Sequence, residues 1–163
     1  MKHLLILFLL TSSLFASAQK IDRKQLLNDI EILSSDVYEG RETGSKGNIL
    51  AANYIVSRFK KIGLSFYQDS FKHPFTLNNR KGNPVKGTNL MGYVKGRSKN
   101  VIVIGAHYDH IGITDSQINN GADDNASGVA GLLAMAEYFK HHKPKNTLLF
   151  IAVQQEFIGW FQL

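Results

Sequence analysis

The stretch VIVIGAHYDHIG, Val101 to Gly112, runs from a β-branched apolar segment straight into His-x-Asp-His. The continuous run from Asn100 to His107 reads as a strand buried on both faces, the pattern of a parallel sheet. His107 and Asp109 then fall at its carboxyl end, where open α/β sheets gather their ligands. Downstream, NNGADDNASG sets Asp123 and Asp124 in a glycine-bounded loop that opens a helix. That helix, Ser127 to about Lys140, repeats apolar residues at Leu132, Leu133, Ala136 and Phe139. His141, His142 and Lys143 follow, where positive charge suits a helix C-terminus. Asn146 to Val153 reads as another buried strand. Strand, helix, strand is a βαβ unit, so the sheet is at least partly parallel.

Working upstream, Asp22 to about Ser34 carries Leu26, Ile30 and Leu33 at helical spacing. SSDVYEGRETGSKG is a loop of turn formers and charges. Ser45 caps a second helix, Lys46 to Ile62, with Ile49, Ala52, Val56 and Phe59 on one face and Gly63 as its stop. Phe66 to Phe75 is extended and broken by Pro74. NNRKGNPVKG is a loop or hairpin turn, and NLMGYV, Asn89 to Val94, is a strand.

The ends set the context. MKHLLILFLLTSSLFASAQK has a basic start, an apolar run and the small-residue site Ala16-Ser17-Ala18, the pattern of a secretory signal peptide. The division is therefore residues 1–18 as signal and 19–163 as the folded portion. The apolar run is too short to span a bilayer, so no stable membrane insertion is expected after cleavage. The protein is expected to be exported, to the periplasm or beyond. Its net charge of +6 is scattered in short loop clusters such as KGRSK and KHHKPK. No aromatic-interleaved basic stripe points to nucleic acid. There is no cysteine, so core burial or bound metal must supply stability.

One imidazole with carboxylates suits zinc, which takes nitrogen and oxygen ligands. Asp123 or Asp124 could bridge two ions, and a carboxylate two residues from a ligand histidine could instead orient its ring. Aspartates ahead of a helix also serve as N-caps.

GAHYDHIG, NNGADDNASG and LLFIAV together resemble the zinc aminopeptidases of the bacterial leucyl aminopeptidase and aminopeptidase Y type, peptidase family M28. LSSDVYEGRETGSKGNILAANYIVSRFKKIGL and TNLMGYVKG resemble the same family's upstream segments. The resemblance implies an α/β fold: a mixed, largely parallel central sheet flanked by helices, of the zinc exopeptidase, phosphorylase/hydrolase-like kind. It implies peptide substrates and two zinc ions. It makes His107 a ligand of one zinc, Asp109 the helper that positions that imidazole, and Asp124 the carboxylate bridging both ions. A cis peptide often follows that aspartate, here Asp124–Asn125. Asp123 is read as stabilising the loop and His110 as a structural histidine.

The likeness breaks after Val153. The family carries two adjacent glutamates there, a general base and a zinc ligand, whereas this chain reads FIAVQQEFIGWFQL. Without a gap, Glu156 takes the base position and Phe157 replaces the ligand; shifted by one residue, Glu156 is the ligand and Gln155 replaces the base. A further aspartate and histidine from later strands are implied and do not occur in this sequence. The expectation is thus a metallo-aminopeptidase whose C-terminal part is missing, weak in zinc retention and poorly soluble, with the strand TLLFIAV bare on its far side. A non-catalytic peptidase-like fragment and a single-zinc glutaminyl cyclase are the alternatives.

Overall fold

The computed structural model describes residues 21–78 and 82–154. The signal segment and Glu156 lie outside these residues.

Helix α1, Arg23–Leu33, begins where Asp22 Oδ1 accepts from the Gln25 amide at 3.1 Å. A 3-10 turn, Asp36–Arg41, occupies the segment read as a loop. Helix α2, Lys46–Ile62, is capped by Ser45 Oγ on the Asn48 amide and ends at Gly63, which takes the left-handed conformation at φ 79°. Glycine reaches that region without the Cβ clash that penalises other residues. Ala52, Val56 and Phe59 are buried as the spacing predicts, but Ile49 is 56% exposed. The buried stripe runs instead through Asn48, Ala51, Ile55, Phe59 and Ile62, which turns Ile49 to solvent.

Strands β1, Ser65–Phe66, and β2, Lys72–Asn78, both pair antiparallel with β3, Pro84–Val94. The segment read as a hairpin loop therefore contributes Pro84 to Gly87 to a strand longer than NLMGYV. Pro74 lies within β2, opposite Thr88. An outer strand has one side free of ladder bonds, so it tolerates a residue without an N–H.

Strand β4, Val101–His107, is followed by a small hairpin of β5, Ile113–Thr114, and β6, Gln117–Ile118. A π-helical turn, Ala122–Ala126, leads into α3, Ser127–His141, and the chain returns through β7, Thr147–Val153. The order across the sheet is β1-β3-β7-β4, with β2 also on β3. β7 pairs antiparallel with β3 and parallel with β4. This is the expected mixed sheet flanked by helices, but among the described strands it is not largely parallel. The β4–β7 pair is parallel and the other three pairings in the sheet are antiparallel.

Two expectations about the sheet are corrected by that order. β7 is not bare: it lies between β3 and β4. β4 is not buried on both faces, for among the described residues it forms the sheet edge. Val101, Ile102 and Val103 are 57%, 46% and 45% exposed. A run of β-branched residues marks a strand, but its burial depends on what stands beside it.

The main core lies on one face of the sheet. Leu90, Leu148, Phe150 and Ala152 meet Leu33 of α1, Ile55 and Phe59 of α2, and Val129, Leu132 and Leu133 of α3. Each of the leucine, isoleucine, valine and phenylalanine side chains contributes roughly 1.5–3 kcal/mol by leaving water. Met91, Ile151 and Val153 form a smaller cluster on the opposite face. The parallel β4–β7 pair, held by α3, brings His107 level with Val153 at one rim of the sheet.

Candidate metal centre

The ladder that fixes β4 ends at His107, and the next residue turns sharply inward. Tyr108 is fully buried. Its N–H donates to Val153 O at 2.9 Å and its hydroxyl to Thr88 O at 2.7 Å. Gln154 Nε2 in turn donates to that hydroxyl at 2.6 Å and to Asn48 Oδ1. Burial, and secondarily the charge of Asp109, push the Tyr108 phenol above its usual range. With Tyr108 anchored inward, His107 and Asp109 on either side are set at the rim.

His107 Nδ1 lies 3.1 Å from the backbone carbonyl of Asp109. A carbonyl oxygen only accepts, so Nδ1 donates to it, and Nε2 of a singly protonated ring would present its lone pair. That Nε2 stands 3.1 Å from Asp124 Oδ1. In that form two acceptors would face each other, and a proton on Nε2 or a cation between them satisfies both.

The second oxygen of Asp124 faces His110, with Oδ2 3.4 Å from Nδ1. His110, read as merely structural, thus joins the same carboxylate. Burial, its largest influence, lowers the His110 pKa, while the charge of Asp124 opposes that shift.

Asp109 orients the ring chiefly through its main chain. Its carboxylate Oδ1 is 3.8 Å from His107 Nδ1, and Oδ2 accepts from Thr43 Oγ1 at 3.0 Å. The capping role left open for the aspartates falls to Asn125, whose Oδ1 accepts from the Gly128 amide at 3.1 Å. A Cβ at position 128 would collide with that oxygen, so the cap needs glycine there. Asp124 is left to face the histidines, and the Asp124–Asn125 peptide is cis. Asp123 is exposed, and its carbonyl accepts from Ser127 Oγ at 3.0 Å.

The residue that sequence reasoning missed is Arg41. It is 1% exposed at φ 54° and donates to carbonyls on both sides of the cluster. Burial depresses its pKa most, while Asp109 and Asp124 raise it. No periodicity marks it, since the partners are main-chain atoms far along the chain.

His107 Nε2 and Asp124 Oδ1 fit zinc in donor type. Two donors about 2.0–2.2 Å from one tetrahedral ion are separated by roughly 3.3 Å, close to the spacing found. The donor count does not close a site. Among the described residues no three His, Cys, Asp or Glu side chains are placed to share an ion, and zinc needs at least three protein ligands. The described residues thus offer the cluster two donors of the type zinc takes and no third. A separate cavity of about 200 Å³, lined by Asp29, Arg58, Glu137 and His142, lies against the opposite end of α3 and is no part of it.

Residues 89–159 match peptidase family M28. Across 132 residues the chain is 26% identical to the alkaline phosphatase isozyme conversion protein of Escherichia coli, covering 73% of this chain and 38% of that protein. Among solved structures it is similar to a leucine aminopeptidase precursor from Bacteroides thetaiotaomicron, at TM-score 0.67 and 21% identity, over 84% of this chain and 48% of that one. It is similar also to the glutaminyl cyclase of Tannerella forsythia, at TM-score 0.70 and 19% identity, over 84% and 48%. The chain thus spans well under two thirds of each. These likenesses show a zinc exopeptidase-like fold.

Proposed function

The chain is related to peptidase family M28, and from that premise we propose that it carries part of the metal centre of an exported zinc-dependent aminopeptidase, one that removes N-terminal residues from peptides. The observation that supports this most is the facing pair of acceptors, His107 Nε2 and Asp124 Oδ1, at the carboxyl end of β4. In this reading both would be zinc ligands, and Asp124, with two carboxylate oxygens, would be able to serve more than one ion. The metal, when bound, supplies Lewis-acid polarisation of the scissile carbonyl.

The protein's own groups do the rest. The Asp109 carbonyl keeps the His107 proton on Nδ1, so that Nε2 is free to ligate. Tyr108, locked inward, keeps that ring at the rim. Glu156 takes a proton as general base or serves as a ligand; the sequence around it supplies one carboxylate where the family has two. On that count residues 19–163 capture metal but do not turn over substrate, and residues 1–18 serve export.

Glutaminyl cyclase chemistry with one zinc is the second reading. It is favoured by the contact between Asp124 Oδ2 and His110, which occupies the oxygen that a bridging role needs. Zinc stoichiometry separates the two, together with assays on an aminoacyl chromogenic substrate and on a glutaminyl peptide. Two zincs with aminoacyl hydrolysis in a version carrying the family's missing carboxylates supports the first. One zinc with cyclisation overturns it.

A further inference from the structure

The cluster is assembled from two segments, the turn after β4 and the loop before α3. The small β5–β6 hairpin joins them along the chain, and Asn119 closes it by donating its amide to Gly112 O at 3.0 Å. The hydrogen bonds of Asn119 run to Gly112 and Thr114 and reach neither His107 nor Asp124. The Arg41 guanidinium spans the gap directly. Its Nε donates to Tyr108 O at 2.8 Å, in the first segment. Its Nη1 donates to Asn120 O at 2.7 Å and its Nη2 to Gly121 O at 2.9 Å, in the second. Nη1 also donates to Leu33 O at the end of α1, which ties the assembly to the helical layer.

The main chain around Arg41 completes the clamp. Its own carbonyl accepts from the His110 amide at 3.2 Å, and Gly40 O accepts from the Gly112 amide at 3.0 Å. The turn needs positive φ at Glu39, Gly40 and Arg41. At Gly40 a Cβ would stand 2.5 Å from Asn119 O, so the turn also needs glycine to approach the hairpin. A buried guanidinium is costly unless its donors are met. Here carbonyls from three parts of the chain meet them, in the flat fork that arginine alone among the side chains presents.

We propose that Arg41 is a positioning residue for the candidate metal centre: by donating at once to the carbonyls of Tyr108, Asn120 and Gly121, it sets the separation at which His107 and Asp124 meet. As a statement about metal affinity this rests on the reading of that cluster as a zinc site. As a statement about the His107–Asp124 pair it does not.

The test uses the full chain as wild type, Arg41→Lys, Arg41→Met and Asp124→Asn. The imidazole resonances are recorded without metal, and affinity for Zn²⁺ alone is measured by competition with a chelating dye. Lysine keeps the charge but offers one nitrogen, so it cannot reach carbonyls on both segments. Arg41→Lys and Arg41→Met are expected to move the His107 and His110 resonances toward those of Asp124→Asn. The His73 and His142 resonances stay in place, which reports an intact fold. Zinc affinity falls by about 10–100-fold, as when a supporting partner of a metal ligand is lost. Unchanged His107 and His110 resonances in both variants overturn the proposal, as does wild-type affinity in a chain that binds zinc. A wild type that binds no zinc defeats the metal reading, while the resonances still decide Arg41. Should both variants unfold, native-state hydrogen exchange on the wild type decides instead. Coupling by Arg41 requires the protected amides of His110 and Gly112 to open together with that of Ala126, at one free energy, and independent opening overturns it.

Discussion

Nε2 of His107 and Oδ1 of Asp124 face each other at 3.1 Å across the rim of the sheet, although one residue ends a strand and the other precedes a helix. The geometry follows from what surrounds each. The Asp109 carbonyl commits the other ring nitrogen as a donor, and Asn125 takes over the helix cap. Nε2 of His107 and Oδ1 of Asp124 are thereby left to each other, while Asp124 Oδ2 turns to His110.

Removing either acceptor should therefore remove metal capture. Asp124→Asn or His107→Ala is expected to lower zinc affinity by more than the roughly 10–100-fold that follows loss of a supporting partner. Asp124 is largely exposed, so its substitution should leave thermal stability nearly unchanged. Dye competition and thermal denaturation check the two halves separately. Equal zinc binding in Asp124→Asn would discard the ligand assignment.

Strands β4 and β7, residues 89–94 of β3 and the three helices were legible because local patterning specifies them: a β-branched run, apolar residues at helical spacing, Ser45 before a helix and Gly63 after it. The β5–β6 hairpin and the start of β3, residues 84–87, were not. The exposure of β4 was not legible, since it depends on the order in which strands pair rather than on the strand's own residues. Arg41 was hidden for a related reason. A Gly-Arg pair in a charged loop reads as surface, and its burial arises only when carbonyls from residues 33, 108, 120 and 121 converge on it. His110 was underestimated because its partner lies across the hairpin.

The close approach of α2 to the 3-10 turn predicts a sensitive glycine. A Cβ at Gly47 would collide with Tyr38 O, a main-chain atom that cannot swing aside. Gly47→Ala is expected to destabilise the fold by about 1–3 kcal/mol through overpacking, despite alanine's better helix propensity. Calorimetry should show a melting temperature several degrees lower, and an unchanged value would mean that the turn yields freely.

Among the described residues β4 is the sheet edge, and that predicts self-association. Val103→Lys places a charge on a strand that is already half exposed, a device by which natural edge strands resist pairing. Light scattering should show less aggregate, with little change in melting temperature. An equally aggregating variant would point to another surface.

Stability at alkaline pH should depend on two phenols. Burial, and then the charge of Asp109, raise Tyr108; burial, followed by the hydrogen bond to Asp29 and its charge, raises Tyr54. The unfolded chain releases these protons near pH 10, while the folded chain retains them. Their contribution is thus fully present below about pH 10 and is lost as pH rises beyond it. Urea unfolding should give a level stability up to that point and a decline above it, shallower in Tyr108→Phe. A decline of equal slope in that variant would remove Tyr108 from the account.

The ion pairs of Arg58 separate burial from mere proximity. Its Nε lies 3.0 Å from Asp29 Oδ1, with the two side chains 5% and 1% exposed, whereas its Nη2 lies 3.2 Å from Glu137, which is 40% exposed. Asp29 also accepts from Gln25 Nε2 at 3.0 Å and from the Tyr54 hydroxyl. Arg58→Met would leave that carboxylate buried without its cation, at a cost of about 3–5 kcal/mol. Glu137→Ala removes a solvent-screened partner and should cost about 0–1 kcal/mol. Pairing Arg58→Met with Asp29→Asn should cost less than the two single changes together, because no charge is then left behind. Chemical denaturation of the four variants measures all three comparisons. Equal losses for Arg58→Met and Glu137→Ala would show that water reaches Asp29 and that the pair is not buried in the sense its exposure implies.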